Sequence, residues 1–315
     1  MIVTVTPNPS VDRTLAIPAL RRGEVLRVTA TAVEAGGKGI NVARSLTTMA
    51  VPAIALAPAS DAGALTLREL LADSVALRIV PITGDLRVNI SLVEEDGTVT
   101  KVNEPGPSVA GVDVDPLLDR LAGAIAELTA MDDVAWVVVC GSLPRGMPDD
   151  FHARLAARMP TSIRVAIDAD RGALRAAVGG RVTLVKPNRA ELEELAGRPL
   201  PTLGAVREAA AGYLGGSLEQ VLVSLGPDGA LVVTATTACH AEAPIDDVAN
   251  TVGAGDALLA GYLAGGATPA ALPEAVAWSV AACRAPGTRM PAVTARDRAA
   301  VVVRGEPDPN RSLRG

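Results

Sequence analysis

Aromatic residues and histidine are scarce in this 315-residue sequence, and each of these two shortages excludes a class of protein. With two Trp, two Tyr, one Phe and a formal net charge of −6, it offers little surface for base stacking and little attraction for phosphate backbones. The two histidines, His152 and His240, lie outside any spacing typical of a zinc site. We therefore expect neither a nucleic-acid-binding protein nor a zinc enzyme.

Cysteines are few, and long apolar runs are missing. Cys140, Cys239 and Cys283 are odd in number and widely spaced, which argues against a disulfide framework and indicates a reducing compartment. No uninterrupted apolar run approaches the roughly 18 residues of a membrane span, and the first residues lack the features of a signal peptide. The sequence predicts a cytoplasmic protein with no membrane partner.

The sequence does contain an alternation of β-branched runs with stretches of helical period, the pattern of parallel strands joined by helices in an α/β fold. Strands are predicted at 2–6, 134–140, 164–168, 182–186 and 221–224. Helices are predicted at 40–49, 65–72, 116–128, 149–158, 190–196 and 203–214. The stretch 304–315, rich in Pro, Gly and Arg, is predicted to be loose.

Two segments, 12–34 and 85–104, break this alternation with patterns typical of β-ribbons. We expect them to pair into a small sheet that covers one end of the larger domain as a lid. The predicted core is then formed by residues 1–11, 35–84 and 105–315. Ordinary antiparallel edge strands would give a similar pattern.

A glycine-rich turn that runs into a helix, Asn250-Thr-Val-Gly-Ala-Gly-Asp256, is the most informative motif. Small residues let backbone N–H groups approach an anion, and the start of a helix favours negative charge. Asp256 is therefore a candidate proton acceptor in phosphoryl transfer, although a carboxylate at this position is also a common helix cap. We expect the field of the helix to keep its pKa low.

A second glycine-rich turn, Gly36-Gly-Lys-Gly39, contains one of only three lysines and precedes Asn41. Taken alone, these glycines are consistent with an ordinary turn. Together with Lys38 and Asn41, the segment offers amides, an ammonium and a carboxamide to a sugar phosphate. It is not a P-loop, and the turn before Asp256 does not complete a dinucleotide-binding motif because Leu258 replaces the last glycine. A nucleotide-binding oxidoreductase is therefore disfavoured.

Three further motifs follow predicted strands, where α/β sheets bind ligands. Lys186-Pro-Asn188-Arg-Ala-Glu191 is either a helix capping box or a site at which Glu191 holds a water on Mg²⁺. The turn 224–230 is either a simple hairpin or a platform for a nucleotide. In the loop 140–146, Ser142 is placed to reach a sugar hydroxyl.

Together these five motifs, in this order, resemble the PfkB branch of the ribokinase-like sugar kinases. The resemblance implies a ribokinase-like three-layer α/β/α fold with a mostly parallel central sheet and a small β-sheet lid. Within the family, the stretches 4–14, 36–39 and 100–107 are most similar to the bacterial 1-phosphofructokinases. All three lysines, Lys38, Lys101 and Lys186, fall in family motifs.

The resemblance also implies roles for individual residues. Phosphoryl transfer is assigned to Asp256, Gly253, Ala254 and Gly255. Binding of MgATP is assigned to Lys186, Asn188, Glu191, Ser224, Gly226, Pro227, Asp228, Gly229 and Thr251, with Glu191 holding Mg²⁺ through water. Binding of the sugar phosphate is assigned to Asp12, Arg27, Gly37, Lys38, Asn41, Arg87 and Ser142.

The activity implied is ATP-dependent phosphorylation of D-fructose 1-phosphate to D-fructose 1,6-bisphosphate. The alternatives are a 6-phosphofructokinase, a tagatose-6-phosphate kinase, and a sugar-sensing protein that has lost catalysis on the same scaffold. A homodimer formed through the lid is consistent with the family. The segment 280–288, which in the family leads to the adenine, looks shortened here, and Arg145 replaces a proline usual in the family.

Overall fold

The computed structural model describes residues 1–72, 74–108, 114–285, 287 and 289–314. The strands of the larger sheet are β1 (Ile2–Val5), β4 (Ala53–Ala59), β5 (Ala76–Pro81), β8 (Trp136–Cys140), β9 (Arg164–Asp168), β10 (Leu184–Val185), β11 (Gln220–Ser224), β12 (Ala230–Thr234), β13 (Ala238–Glu242) and β14 (Val302–Gly305). Those of the smaller sheet are β2 (Ser10–Ile17), β3 (Ala30–Gly36), β6 (Arg87–Glu94) and β7 (Val99–Asn103). The helices are α1 (Lys38–Thr48), α2 (Asp61–Leu71), α3 (Asp115–Met131), α4 (Phe151–Ala157), α5 (Arg171–Val178), α6 (Arg189–Ala196), α7 (Leu203–Ala211), α8 (Ala254–Ala264), α9 (Leu272–Arg284) and α10 (Ala295–Ala299).

The larger sheet has ten strands in the order β14-β13-β12-β11-β10-β9-β8-β1-β4-β5. Pairing is parallel from β11 to β5 and antiparallel from β11 to β14. The central strands are apolar on both faces, as the fully buried Val137, Val138 and Val139 of β8 illustrate, because helices cover both sides. All the parallel strands therefore end at one edge of the sheet, where ligand sites are expected.

Two hydrophobic clusters fill the interfaces between the larger sheet and the helix layers on its two faces. One joins the sheet to α1, α2, α8 and α9, through side chains such as Leu46, Leu67 and Leu259. The other joins it to α3, α4, α5, α6 and α7, through side chains such as Leu121 and Leu155. The predicted three-layer α/β/α architecture with a mostly parallel sheet and a separate small sheet is confirmed.

The small sheet, with the order β3-β2-β6-β7, has two chemically different faces. Residues directly opposite one another across strands share a face, and Asp12 lies opposite both Glu34 and Asn89. One residue further along, Val33, Arg13, Ile90 and Val102 form a row across all four strands on the other face. One face of the lid is therefore polar and the other largely apolar.

The prediction that residues 304–315 are loose is wrong for the part of that stretch that the structure describes. β14 pairs with β13, and residues 309–313 run along the start of α7, where Leu203 N–H donates to the Arg311 carbonyl at 3.0 Å and Gly204 N–H to that of Pro309 at 3.1 Å. The composition indicated flexibility, but these long-range backbone bonds override it. Across the described ranges, no helix is both long and apolar enough to cross a bilayer.

Candidate functional site

The glycine-rich turn becomes a helix as predicted. Gly253 precedes α8 with a φ of 82°, a left-handed conformation that favours glycine, and Asp256 lies in the first turn. Among the described residues, no side chain caps this helix. Instead Asp256 accepts a hydrogen bond of 2.9 Å at Oδ2 from Asn41 Nδ2 of α1. The carboxylate thus faces α1, where the second glycine turn begins.

The expectation of a low pKa for Asp256 differs from what its surroundings impose. The side chain is buried, and burial together with the negative charge of Asp168 raises the pKa of Asp256 to about 6. The positive charge of Lys38 and the bond from Asn41 oppose this shift without reversing it. A pKa near neutrality suits a group that must accept a proton.

Asp168 lies at the end of β9 and holds two lysines together. Its Oδ1 is 2.8 Å from Lys38 Nζ, and its Oδ2 is 3.0 Å from Lys186 Nζ. Burial of Lys38 lowers its pKa, but the charge and hydrogen bond of Asp168 raise it by more, so the ammonium stays protonated. The side chains of Asp168 and Lys186 are 1% and 5% exposed. This ion triad joins the two lysines that the sequence assigns to the sugar and to the nucleotide.

A first cavity, of about 390 Å³, lies between the small sheet predicted as a lid and the carboxyl edge of the larger sheet, and we name it the sugar-side cavity after the residues predicted to line it. Of the residues predicted to bind the sugar phosphate, five line it: Asp12, Gly37, Lys38, Asn41 and Arg87. Arg27 is exposed on the loop between β2 and β3 and does not line this cavity. Ser142 does not line this cavity either, although its neighbour Gly141 packs near Lys38. Within the described structure, the buried Oγ of Ser142 has no hydrogen-bond partner.

The polar face of the lid supplies one wall of this cavity. Asp12 Oδ1 accepts hydrogen bonds from Ser10 Oγ at 2.7 Å and from Asn89 Nδ2 at 2.8 Å. Arg87 Nε donates to the Asn8 carbonyl at 3.2 Å, which fixes its guanidinium at the cavity wall. The pKa of Arg87 is lowered by burial, and the charge of Asp12 opposes this shift. The lid therefore brings both a carboxylate and a guanidinium to the sugar side.

A second cavity of about 430 Å³ lies on the other side of the α8 turn. Of the predicted nucleotide residues, six line it: Asn188, Ser224, Gly226, Pro227, Gly229 and Thr251. Asn188, Ser224 and Gly255 line both cavities, so the two meet at the glycine turn. Lys186 and Glu191 line the sugar-side cavity instead. The buried carboxylate of Asp228 is bonded to Arg314 and does not line either cavity.

Part of the second cavity is apolar, as an adenine ring requires. Its lining includes Ile245, Val248, Val276, Val280 and Cys283, none of which the sequence reasoning assigned. In the segment 280–288, whose shortness left the adenine pocket unassigned, Pro286 and Thr288 lie outside the described residues. The helix α9 nevertheless contributes to this apolar wall through Val276 and Val280.

Glu191 forms the capping box that its motif suggested, and its role at Mg²⁺ stays a prediction. It forms a capping box with Asn188, in which Asn188 N–H donates to Glu191 Oε2 at 2.7 Å and Glu191 N–H donates to Asn188 Oδ1 at 2.8 Å. It also lines the sugar-side cavity, and burial raises its pKa. In the part of the chain that the structure describes, no cluster of three or more His, Cys, Asp or Glu forms a metal cage. A single carboxylate fits Mg²⁺ that arrives with a nucleotide and keeps most of its waters.

Comparison with known proteins agrees with this geometry. Residues 6–289 match the family described as pfkB family carbohydrate kinase. The chain belongs to the PfkB family of carbohydrate kinases. This PfkB kinase is 38% identical over 266 residues to the 1-phosphofructokinase of Rhodobacter capsulatus, covering 83% of this chain and 82% of that protein. It is 36% identical over 269 residues to the 1-phosphofructokinase of Escherichia coli strain K12, covering 84% and 83%.

A solved structure is similar over almost the whole chain. The crystal structure of phosphofructokinase-2 from Escherichia coli in complex with fructose-6-phosphate has a TM-score of 0.81 and 32% identity, and covers 95% of this chain and 96% of that one. The family resemblance found in the sequence is thus confirmed. The PfkB kinase is a sugar kinase, a phosphotransferase for which the family implies ATP as a substrate.

Asp168 is one of the residues of this site that sequence reasoning missed. It ends the predicted strand 164–168 just as Lys186 ends the predicted strand 182–186, so the rule that ligands bind at the carboxyl ends of parallel strands pointed to it. Asn89 was missed for a different reason, since only the pairing of β2 with β6 places it opposite Asp12.

Asp168→Asn should destabilise the PfkB kinase strongly, because it leaves the buried ammonium of Lys186 without its counter-ion. We expect the free energy of unfolding, measured by urea denaturation, to fall by about 3–5 kcal/mol. The control is Glu127→Gln, which breaks an exposed ion pair with Arg78 and should cost less than about 1 kcal/mol. Equal losses in the two variants would contradict the structural importance of the triad.

Proposed function

We propose that this PfkB kinase transfers the γ-phosphoryl group of ATP to the 6-hydroxyl of D-fructose 1-phosphate and forms D-fructose 1,6-bisphosphate. The observation that carries the proposal is the position of Asp256, which lies where the sugar-side and nucleotide cavities meet and is held there by Asn41. An acceptor hydroxyl and a γ-phosphate bound in the two cavities would both approach this carboxylate.

In the proposed transfer, the sugar hydroxyl oxygen attacks the γ-phosphorus in line with the leaving group. The new O–P bond forms as the bond from the γ-phosphorus to the β,γ-bridging oxygen breaks, ADP leaves, and the hydroxyl proton passes to Asp256. The amides of Gly253, Ala254 and Gly255 stabilise the transferring group at the start of α8. The Ala254 amide also donates weakly to the Thr251 carbonyl, at 3.3 Å.

The nucleotide is oriented by groups on both sides of that turn. Asn188, Ser224 and Thr251 line its cavity, and Lys186 would reach the phosphate chain from the wall of the adjoining sugar-side cavity, where it pairs with Asp168. Glu191 would hold Mg²⁺ through water, and the ion would neutralise charge on the phosphate oxygens. Closing the lid over the sugar excludes water, which limits hydrolysis of ATP without transfer.

The choice of fructose 1-phosphate rests on the identity to two enzymes named 1-phosphofructokinase and on the cations at the sugar side. Lys38 and Arg87 line that cavity and can hold the phosphate that the substrate already carries. A 6-phosphofructokinase is the second candidate, since the similar Escherichia coli structure contains fructose-6-phosphate.

We also propose that two copies associate through the apolar face of the lid. Val33 is 42% and Val102 54% exposed on the row that faces away from the cavity, and Val28 is exposed on the loop between β2 and β3. A sheet face of this kind needs a partner, and a second copy of the chain offers a self-complementary one.

Turnover should be greatest with fructose 1-phosphate when ATP-dependent ADP release is measured across a panel of sugars. The panel contains fructose 1-phosphate, fructose 6-phosphate, tagatose 6-phosphate and unphosphorylated fructose. We expect kcat/KM for the first to exceed that for the others by at least about tenfold, because one correctly placed charge-assisted bond is worth this factor. A preference for fructose 6-phosphate would select the second candidate, and turnover of none of them would overturn the proposed activity.

Asp256→Asn should lower kcat by about 10²–10⁴-fold with little change in the Kd for ATP, since it keeps the size of the side chain and removes the proton acceptor. In the wild type, Asp256 must be ionised to act, and its pKa is raised to about 6. The kcat/KM for the sugar should therefore fall as the pH drops below about 6, and the residual activity of the variant should lack this decline. Near-normal kcat in Asp256→Asn would contradict the assigned role.

Val102→Asp should dissociate the proposed dimer, because it places a charge on the outward face of β7. Sedimentation velocity should show a dimer for the wild type and a monomer for the variant. The control is Met131→Asp, at the end of α3, where another exposed apolar side chain lies outside the lid and should leave the dimer intact. A monomeric wild type at micromolar concentration would contradict the proposal.

A further inference from the structure

Arg314 contacts the turn that follows β11 on the nucleotide side of the site. Its backbone N–H donates to Asp228 Oδ2 at 2.7 Å, its Nε donates to Asp228 Oδ1 at 3.0 Å, and its Nη2 donates to the Pro227 carbonyl. The side chain of Asp228 is only 2% exposed, so its negative charge must be compensated by protein groups rather than by water. Arg314 thus binds the Gly226–Gly229 turn through both its main chain and its side chain.

The position of Arg314 is fixed by the chain that precedes it. Leu313 N–H donates to the Pro201 carbonyl at 2.9 Å, and Ser312 forms an antiparallel bridge with Thr202. Arg311 pairs with the buried carboxylate of Glu242 and lies 3.5 Å from Asp228. These contacts connect the segment to the start of α7 and to β13, so the guanidinium of Arg314 is presented at one place.

A second nucleotide element is connected to the same residue. Arg189 Nη1 donates to the Arg314 carbonyl at 3.0 Å, and Arg189 directly follows Asn188, which lines both cavities. Arg314 therefore bridges the turn before α6 and the turn after β11. Both turns form walls of the cavity assigned to ATP.

Arg314 also lines that cavity itself. Its side chain remains 56% exposed despite the bonds to Asp228 and Pro227. Its neighbours are these polar turns rather than the apolar side chains of α9. This position indicates that Arg314 lies beside the ribose and phosphate part of a bound nucleotide rather than beside the base. A nucleoside triphosphate is strongly anionic, and the buried carboxylates of Asp228 and Glu242 lie close to its cavity, so a cation at this wall favours binding.

We propose that Arg314 is a nucleotide-binding residue of this kinase, which positions the Gly226–Gly229 turn and presents positive charge to the ribose and phosphates of a nucleoside triphosphate. This inference rests on the proposed function for the location of the nucleotide. The turn leaves little freedom for compensation, because a Cβ on Gly229 would lie 2.1 Å from the Ala241 carbonyl oxygen. The contacts of Arg314 therefore hold one side of a turn whose other side is packed against β13.

Isothermal titration of ATP into the full-length wild type, Arg314→Ala and Arg304→Ala tests the inference. We expect the Kd for ATP to rise about tenfold in Arg314→Ala, because this factor corresponds to the loss of one charge-assisted bond. The KM for the sugar phosphate should change less than about twofold. Arg304→Ala is the matched control, since Arg304 also pairs with a buried carboxylate, Glu242, but does not line the cavity. Its Kd for ATP should equal that of the wild type.

Two further measurements separate this role from a purely structural one. The loss of affinity in Arg314→Ala should shrink between about 0.05 M and about 0.5 M salt, because screening weakens the interaction that the variant removes. Arg314→Gln keeps a donor for Asp228 and removes the charge, so it should stay folded and show the same loss. Wild-type affinity in both variants would overturn the inference, whereas a wild type that binds no ATP would overturn the proposed function.

Discussion

The site depends on one buried carboxylate, Asp168, and the two ammonium groups that it holds. Lys38 begins α1, Asp168 ends β9 and Lys186 follows β10, so the triad joins three segments that are distant in the sequence. A carboxylate buried this deeply requires cations, and satisfying it places both lysines on the wall of the sugar-side cavity. Burial, and after it the same negative charge, raise the pKa of Asp256, so Asp168 both positions the cations and contributes to the basicity of this second carboxylate.

Two opposing influences act on Asp256 itself. The start of α8 favours an ionised carboxylate, as it favours an anion in general. Burial and Asp168 oppose this, and they prevail, because the side chain lies in a low-dielectric position between α1 and α8 rather than at an exposed helix end. In the proposed transfer, the glycine turn would consequently supply the amides for the transferring group while the carboxylate keeps a pKa suited to accepting a proton.

Features that follow from local pattern were predictable from the sequence, and features made by distant pairing were not. The buried run of β8, the glycine turn before α8 and the capping box of Asn188 with Glu191 each depend on residues a few positions apart. The low pKa expected for Asp256 was wrong because burial against α1, and then the charge of Asp168 on β9, raise this pKa, and both depend on segments distant in the sequence. The prediction that residues 304–315 are loose was wrong because Arg314 pairs with Asp228, 86 residues earlier, and the composition gives no sign of such a partner.

The pairing of β2 with β6 has a consequence for how the kinase folds. These parallel strands bring together Asp12 and Asn89, which are 77 residues apart, and the chain between them includes α1, β4, α2 and β5 of the core. Closing so long a loop costs chain entropy before any contact repays it, so we expect the small sheet to assemble after the core elements that shorten the loop. A partly folded chain with an intact core would then have the glycine turns of the larger domain but would lack the wall that Asp12 and Arg87 give to the sugar-side cavity.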